Sequence, residues 1–170
     1  VLSGLRPDAV VVCADRHEVL AAAQAVAYLH LPLIHLQGGE RSGSIDDRVR
    51  DAITHLADIH CVSTDVARHR VYALTGEYDS VHLTGCPSID LAHEAQRDPP
   101  IMGADLQGTG PDLDLRYPFL LVLPHPVTSE ADDAGEQMRR TLEAVTRVPM
   151  PRIVFWPGED GGAEDMSRTI

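Results

Sequence analysis

Aromatic side chains are scarce, with one Trp, four Tyr and two Phe in 170 residues. The core must therefore be built from Val, Leu, Ile and Ala, and a hydrophobic content of 44% is enough for that. Basic charge is also short, and the formal net charge is −12. With no basic block to offset it, neither nucleic acid nor an anionic membrane surface is an expected partner. Cys13, Cys61 and Cys86 are odd in number and lack CxxC spacing, which fits a reducing, cytoplasmic setting better than a disulfide framework. No signal peptide and no membrane-spanning apolar run is read from the chain. GxGxxG and P-loop fingerprints are missing, which argues against nicotinamide and nucleoside-triphosphate chemistry. The histidines outside the candidate loops are scattered without zinc-ligand spacing, so no metal is expected.

What remains is an alternation of strand and helix. Ala9–Cys13 is a continuous apolar run of strand length, as for a strand covered on both faces. The helix after it, His17 to Leu29, is apolar nearly all round and is expected to be well buried. Leu33–Leu36 is the second strand. Ile45, Val49, Ala52, Ile53 and Leu56 then form the stripe of a helix, with Ser44 as its cap and Asp47 three residues on in a capping-box arrangement. Ile59–Ser63, Ser80–Thr84, Phe119–Pro124 and Ile153–Trp156 complete the strands. Helices are expected from Thr64 to Leu74, from Gly85 onward and from Ala131 to Thr146. This is an α/β chain of parallel-sheet β-α units. It divides into a portion over 1–94, a linker or surface excursion over 95–117 rich in Pro, Gly and Asp, and a second portion over 118–170.

In parallel sheets, ligands bind at the carboxyl ends of the strands, so the loops there hold the candidate residues. Asp15 and Arg16 follow the first strand. The stretch from His35 through Gln37, Gly38, Gly39, Glu40 and Ser44 to Asp46 and Asp47 follows the second. His125 and Asp160 lie in later loops. Glycines admit close backbone approach to a ligand, Arg16 suits a diphosphate, and Asp15, Glu40 and Asp46 are candidate acids or bases. Plainer readings stand beside these. The second loop is also a Gly-rich turn before a capped helix, with Asp47 serving the helix dipole. Arg16 has Asp15 or Glu18 to pair with, and His125 is also placed to bond a backbone carbonyl.

Several stretches in order resemble one family: Arg6-Pro-Asp, Asp15-Arg-x-Glu18, His35-x-x-Gly-Gly-Glu-x-x-Gly-Ser-Ile-Asp-Asp47, Arg50-x-Ala-Ile-Thr54, Gly85-Cys-Pro-Ser-x-Asp90 and His125-Pro-Val-Thr128. These look like the hydrolysing UDP-N-acetylglucosamine 2-epimerases of sialic and related nonulosonic acid synthesis. The resemblance implies two incomplete Rossmann-like portions of a glycosyltransferase-B-like fold. It also implies conversion of UDP-GlcNAc and water to N-acetylmannosamine and UDP, by anti elimination and then hydration, without cofactor. Asp15 and Asp46 match family catalytic carboxylates, His35 an active-site histidine, and Arg16 and His125 groups near the diphosphate. Glu40 and the glycines match the substrate-cleft motif.

Two positions depart from the family pattern. Gln37 stands where many members have a catalytic glutamate, and Pro157-Gly-Glu-Asp160 lacks the asparagine of the family's Pro-Asn-x-Asp loop. A full member is expected to run to roughly twice this length, with domains of about 100–200 residues, and to form a homo-oligomer. The chain reads as a central fragment that is inactive in isolation. The rival readings are a non-catalytic nucleotide-sugar-binding remnant and a non-hydrolysing UDP-GlcNAc/UDP-ManNAc epimerase.

Overall fold

Val10–Cys13 forms β1, and its burial alternates: Val12 is buried while Val11 and Cys13 are exposed. This period of two, where a two-faced apolar strand was expected, reflects how the neighbouring elements are arranged. The computed structural model describes residues 2–99, 106 and 108–170. In the first compact unit, Val1–Arg97, a short α1 (Leu2–Leu5) precedes β1. After it come α2 (His17–Tyr28), β2 (Leu33–Leu36), α3 (Asp46–Leu56), β3 (Ile59–Val62), α4 (Asp65–Thr75), β4 (Val81–Leu83) and α5 (Pro87–Ala95). The four strands are parallel and ordered β1-β2-β3-β4, so space follows sequence. Parallel crossovers turn right-handed, and in an unreversed order that puts α2, α3 and α4 on one face. The described elements leave the other face open at Val11, Cys13 and Ile59.

The same asymmetry corrects the expectation for α2, whose Ala23 and Val26 are buried while Ala21, Ala22, Ala25 and Tyr28 are exposed. Ala23 and Val26 pack with Val12, Leu33 and Ile53, and a second cluster joins Val62, Ala67, Val71 and Val81. On α3 the expected stripe turns slightly. Ile53 is buried with Arg50 and Thr54, whereas Ile45 is 49% exposed.

The second unit spans Asp98–Ile170. Here β5 (Leu120–Val122) pairs in parallel with β6 (Arg152–Val154), shorter at both strands than expected. Between them a 3-10 turn, Thr128–Asp133, leads into α6 (Ala134–Thr146), and α7 (Ala163–Thr169) follows β6. Ala134, Met138 and Met166 form its core, with Leu142 and Val154 packed against them. Part of the expected excursion, residues 100–105 and 107, lies outside the described residues. Among those described, no helix is long and apolar enough to cross a membrane.

Candidate active site

The carboxyl ends of β1 and β2 release two loops whose polar groups converge on α3. Arg50, one turn into that helix, is 6% exposed. Its Nη2 donates to Asp15 Oδ2, while its Nη1 donates to the Glu40 carbonyl at 2.7 Å and to Asp47 Oδ1 at 2.9 Å. One guanidinium thus ties the β1 loop, the β2 loop and its own helix together. A forked, permanently charged donor is suited to that task in a way a single ammonium is not. Burial pulls the Arg50 pKa down from its usual value, but an arginine stays protonated there.

Asp47 is not half of a capping box with Ser44. Its carboxylate reaches back to accept the backbone N–H of Ser42 at 2.8 Å and of Gly43 at 3.0 Å, with the Ser42 hydroxyl at 3.1 Å. Those backbone bonds first, then the Ser42 hydroxyl and the charge of Arg41, hold its pKa below the usual carboxylate value. Ser44 turns to Asp46, two residues on, donating its hydroxyl to Asp46 Oδ2 at 2.6 Å and accepting the Asp46 N–H at 3.2 Å. Asp46 has no ion-pair partner among the described residues. Among the described residues the loop therefore presents two carboxylates without a counter-ion, Glu40 and Asp46, beside Asp15 and Asp47, which share a buried arginine.

The glycines are required by close approach. A Cβ on Gly39, whose φ is +79°, would lie 2.4 Å from the Ala67 carbonyl oxygen. One on Gly38 would lie 3.1 Å from His35 Nδ1 and 3.2 Å from Thr54 Oγ1. His35 itself does not open onto the edge. It is fully buried, with Nε2 2.9 Å from the Ala14 carbonyl and Nδ1 3.2 Å from Thr54 Oγ1. The structure thus places His35 beneath the loop rather than open on it. Burial holds its imidazole pKa below the usual value, against the bond to Ala14.

Gln37 sits in the left-handed region at φ +63°. Its amide lies between two thiols: Cys13 Sγ donates to Oε1 at 3.4 Å, and Nε2 donates to Cys86 Sγ at 3.3 Å. The backbone amides of Ile89 and Ser88, then Gln37, lower the Cys86 pKa. Burial and the neighbouring Cys86 raise that of Cys13. Arg16 is exposed and bonds Glu18 at 3.1 and 3.3 Å, the plainer of its two readings.

His125 and Asp160 belong to the second sheet, so the expected single rim becomes two sheet edges. There they flank Gly158, whose added Cβ would lie 3.5 Å from Asp160 Oδ2 and 3.8 Å from His125 Nδ1. Sequence reading assigned no role to Arg50, Thr54, Cys13 or Cys86. The signal for Arg50 was its spacing, three residues after Asp47 and four after Asp46, on a helix that brings such positions together.

Comparison with known proteins agrees with this arrangement of fold and loops. The family model described as UDP-N-acetylglucosamine 2-epimerase matches residues 1–167. The chain is 31% identical over 164 residues to the hydrolyzing UDP-N,N'-diacetylbacillosamine 2-epimerase of Legionella pneumophila, covering 96% of this chain and 42% of that protein. It is 29% identical to the UDP-N-acetylglucosamine 2-epimerase of Neisseria meningitidis, covering 98% of this chain and 43% of that one. The Methanocaldococcus jannaschii UDP-GlcNAc 2-epimerase in complex with UDP-GlcNAc and UDP superposes with a TM-score of 0.72 at 16% identity, covering 99% of this chain and 46% of that structure. The chain thus spans less than half the length of these relatives, and across nearly all of its own length it belongs to the UDP-N-acetylglucosamine 2-epimerase family.

Proposed function

We propose that this chain supplies the carboxylate-bearing part of a hydrolysing 2-epimerase acting on a UDP-linked 2-acetamido sugar, UDP-GlcNAc in the first instance. The observation that carries the reading is Arg50 gripping Asp15, Asp47 and the Glu40 carbonyl at once, while Asp46 beside them has only a hydroxyl partner.

The reaction requires removal of the C2 proton and departure of UDP with the electron pair of the C1–O bond, leaving a 2-acetamidoglucal. Water then returns a proton to C2 on the opposite face and a hydroxyl to C1. A carboxylate bound to a guanidinium stays ionised and shapes the local field, whereas one without a counter-ion is better able to take up a proton. Of the two carboxylates without a counter-ion, Asp46 is assigned as the base because the Ser44 hydroxyl fixes its position, and Asp15 is assigned as the fixed negative group. Glu40 and Ser44 line the same loop, where Gly38 and Gly39 let the backbone approach the sugar. His125 is carried over from the family resemblance alone as a candidate group for the diphosphate. Stabilising that developing charge supplies much of the rate, because the C2 proton is only weakly acidic. Gln37 can donate and accept hydrogen bonds but cannot relay a proton as a glutamate would.

The Legionella relative, a UDP-N,N'-diacetylbacillosamine 2-epimerase, favours a second sugar, UDP-N,N'-diacetylbacillosamine. Product analysis separates the readings. A chain that includes these 170 residues at the relatives' full length is incubated with each nucleotide sugar. Free epimerised sugar plus UDP supports the hydrolysing reading. An epimerised UDP-sugar supports the non-hydrolysing one, and binding without turnover supports a non-catalytic remnant. The 170-residue chain alone is expected to release no UDP.

A further inference from the structure

Two connections run between α3 and the end of β1, and together they close a ring. The first is the Arg50–Asp15 ion pair. The second starts one turn later on the same helix, at Thr54, whose Oγ1 lies 3.2 Å from His35 Nδ1. It continues through His35 Nε2 to the Ala14 carbonyl at 2.9 Å. Ala14 immediately precedes Asp15.

The direction of each bond follows from what each atom can do. A carbonyl oxygen only accepts, so His35 Nε2 must carry the proton that it shares with Ala14. In a neutral imidazole the other nitrogen is then an acceptor, and the Thr54 hydroxyl is the donor that meets it. Thr54 and His35 are both fully buried, so no water competes for these positions. Gly38 closes the pocket from above, where a Cβ would press tightly on both atoms at 3.1 and 3.2 Å.

Ala14 needs this support. It adopts φ +63° without being glycine, a strained conformation that persists only where its surroundings enforce it. Its N–H donates to the Leu36 carbonyl at 3.0 Å and its carbonyl accepts from His35. Both sides of the strained residue are therefore fixed, and the chain direction into Asp15 is fixed with them.

We propose that Thr54 and His35 are positioning residues for the reaction: the Ala14 carbonyl selects the Nε2–H tautomer of His35, the Thr54 hydroxyl holds the ring by donating to Nδ1, and the ring so held fixes Ala14 and keeps the Asp15 carboxylate on Arg50. This rests on the reading of Asp15 as part of the reacting site. The ring itself is testable without turnover.

The test uses the isotopically labelled 170-residue chain. Imidazole nitrogen NMR is expected to show His35 as the neutral Nε2–H tautomer. Thr54→Val leaves Nδ1 without its donor, changing the His35 nitrogen shifts while the Nε2–H tautomer persists, and moves the Asp15 carboxyl resonance as its hold on Arg50 loosens; Thr54→Ser restores both. In the full-length enzyme, Thr54→Val lowers kcat about tenfold or more with KM within about twofold, as expected of misplacement rather than lost binding. The Nδ1–H tautomer in the wild-type chain overturns the proposal whether or not any variant folds. A folded Thr54→Val chain with an unchanged Asp15 carboxyl resonance also overturns it. Absence of turnover in the wild-type enzyme would count against the catalytic reading and leave the ring standing.

Discussion

Arg50 and Asp15 lie 35 residues apart in sequence and meet in an ion pair between α3 and the loop after β1, with side chains only 7% and 18% exposed. Such a pair is expensive to break from one side, because the partner left behind is a charge with little water around it. Here two carboxylates and a carbonyl would be left behind.

Arg50→Ala is therefore expected to lower the unfolding free energy by about 3–5 kcal/mol in urea titration. Arg50→Lys keeps the charge but loses the fork, and should recover only part of that loss. Equal stability of Arg50→Ala and wild type would show that the guanidinium does not join the two loops.

Gly39 and Gly43 make a controlled comparison, since both have positive φ, +79° and +83°. Only Gly39 is pressed against another segment, and a Cβ at Gly43 would meet nothing within 4 Å. Gly43→Ala should cost about 1 kcal/mol from backbone strain alone. Gly39→Ala adds a collision with the Ala67 carbonyl and should cost about 3 kcal/mol or more. Thermal melts of the two variants check this, and equal losses would contradict it.

Much of the fold was legible in the residues. Apolar runs placed each strand to within a residue or two, and the spacing on α3 identified a helix with a buried face. What one sequence could not give is how many faces of the sheet are covered. That depends on strand order, and Val11 and Cys13 look as apolar as Val12 in the string. Within the site, Asp15, Glu40, Asp46 and the paired glycines were visible as unusual loop chemistry. Arg50 and Thr54 stood out only as the ends of one stretch of the resemblance, without a role, because a polar residue on a helix ordinarily faces water and only the folded chain turns these two inward. His35 was misplaced for a related reason. Alternation along β2 puts it on the same face as Leu33, beneath the loop it introduces.

Acid should weaken the fold through His35 and His60. Burial depresses both imidazole pKa values below 6.5, so the unfolded chain binds more protons than the folded one between the folded pKa and about 6.5. Stability is full above about pH 6.5 and declines as pH falls towards the folded values, by up to about 1.4 kcal/mol per pH unit for each histidine. His35→Asn should flatten part of that slope in urea titrations between pH 7 and 5. A slope unchanged by the substitution would place the acid sensitivity elsewhere.

The thiols should differ in reactivity although Gln37 touches both. Amide donors stabilise the Cys86 thiolate, while burial disfavours that of Cys13. At neutral pH, iodoacetamide should label Cys86 before Cys13, because the thiolate is the reacting form. Peptide mass spectrometry at short times reads the order, and prior labelling of Cys13 would contradict the Gln37 geometry.

The central claim is tested most directly by running the full-length enzyme on UDP-GlcNAc in deuterated, oxygen-18 water and analysing the sugar. Elimination and rehydration predict free N-acetylmannosamine with deuterium at C2 and the heavy oxygen at C1, and with turnover lost in Asp46→Asn. A product that keeps its original C2 hydrogen, or an Asp46→Asn enzyme as active as wild type, would contradict the account.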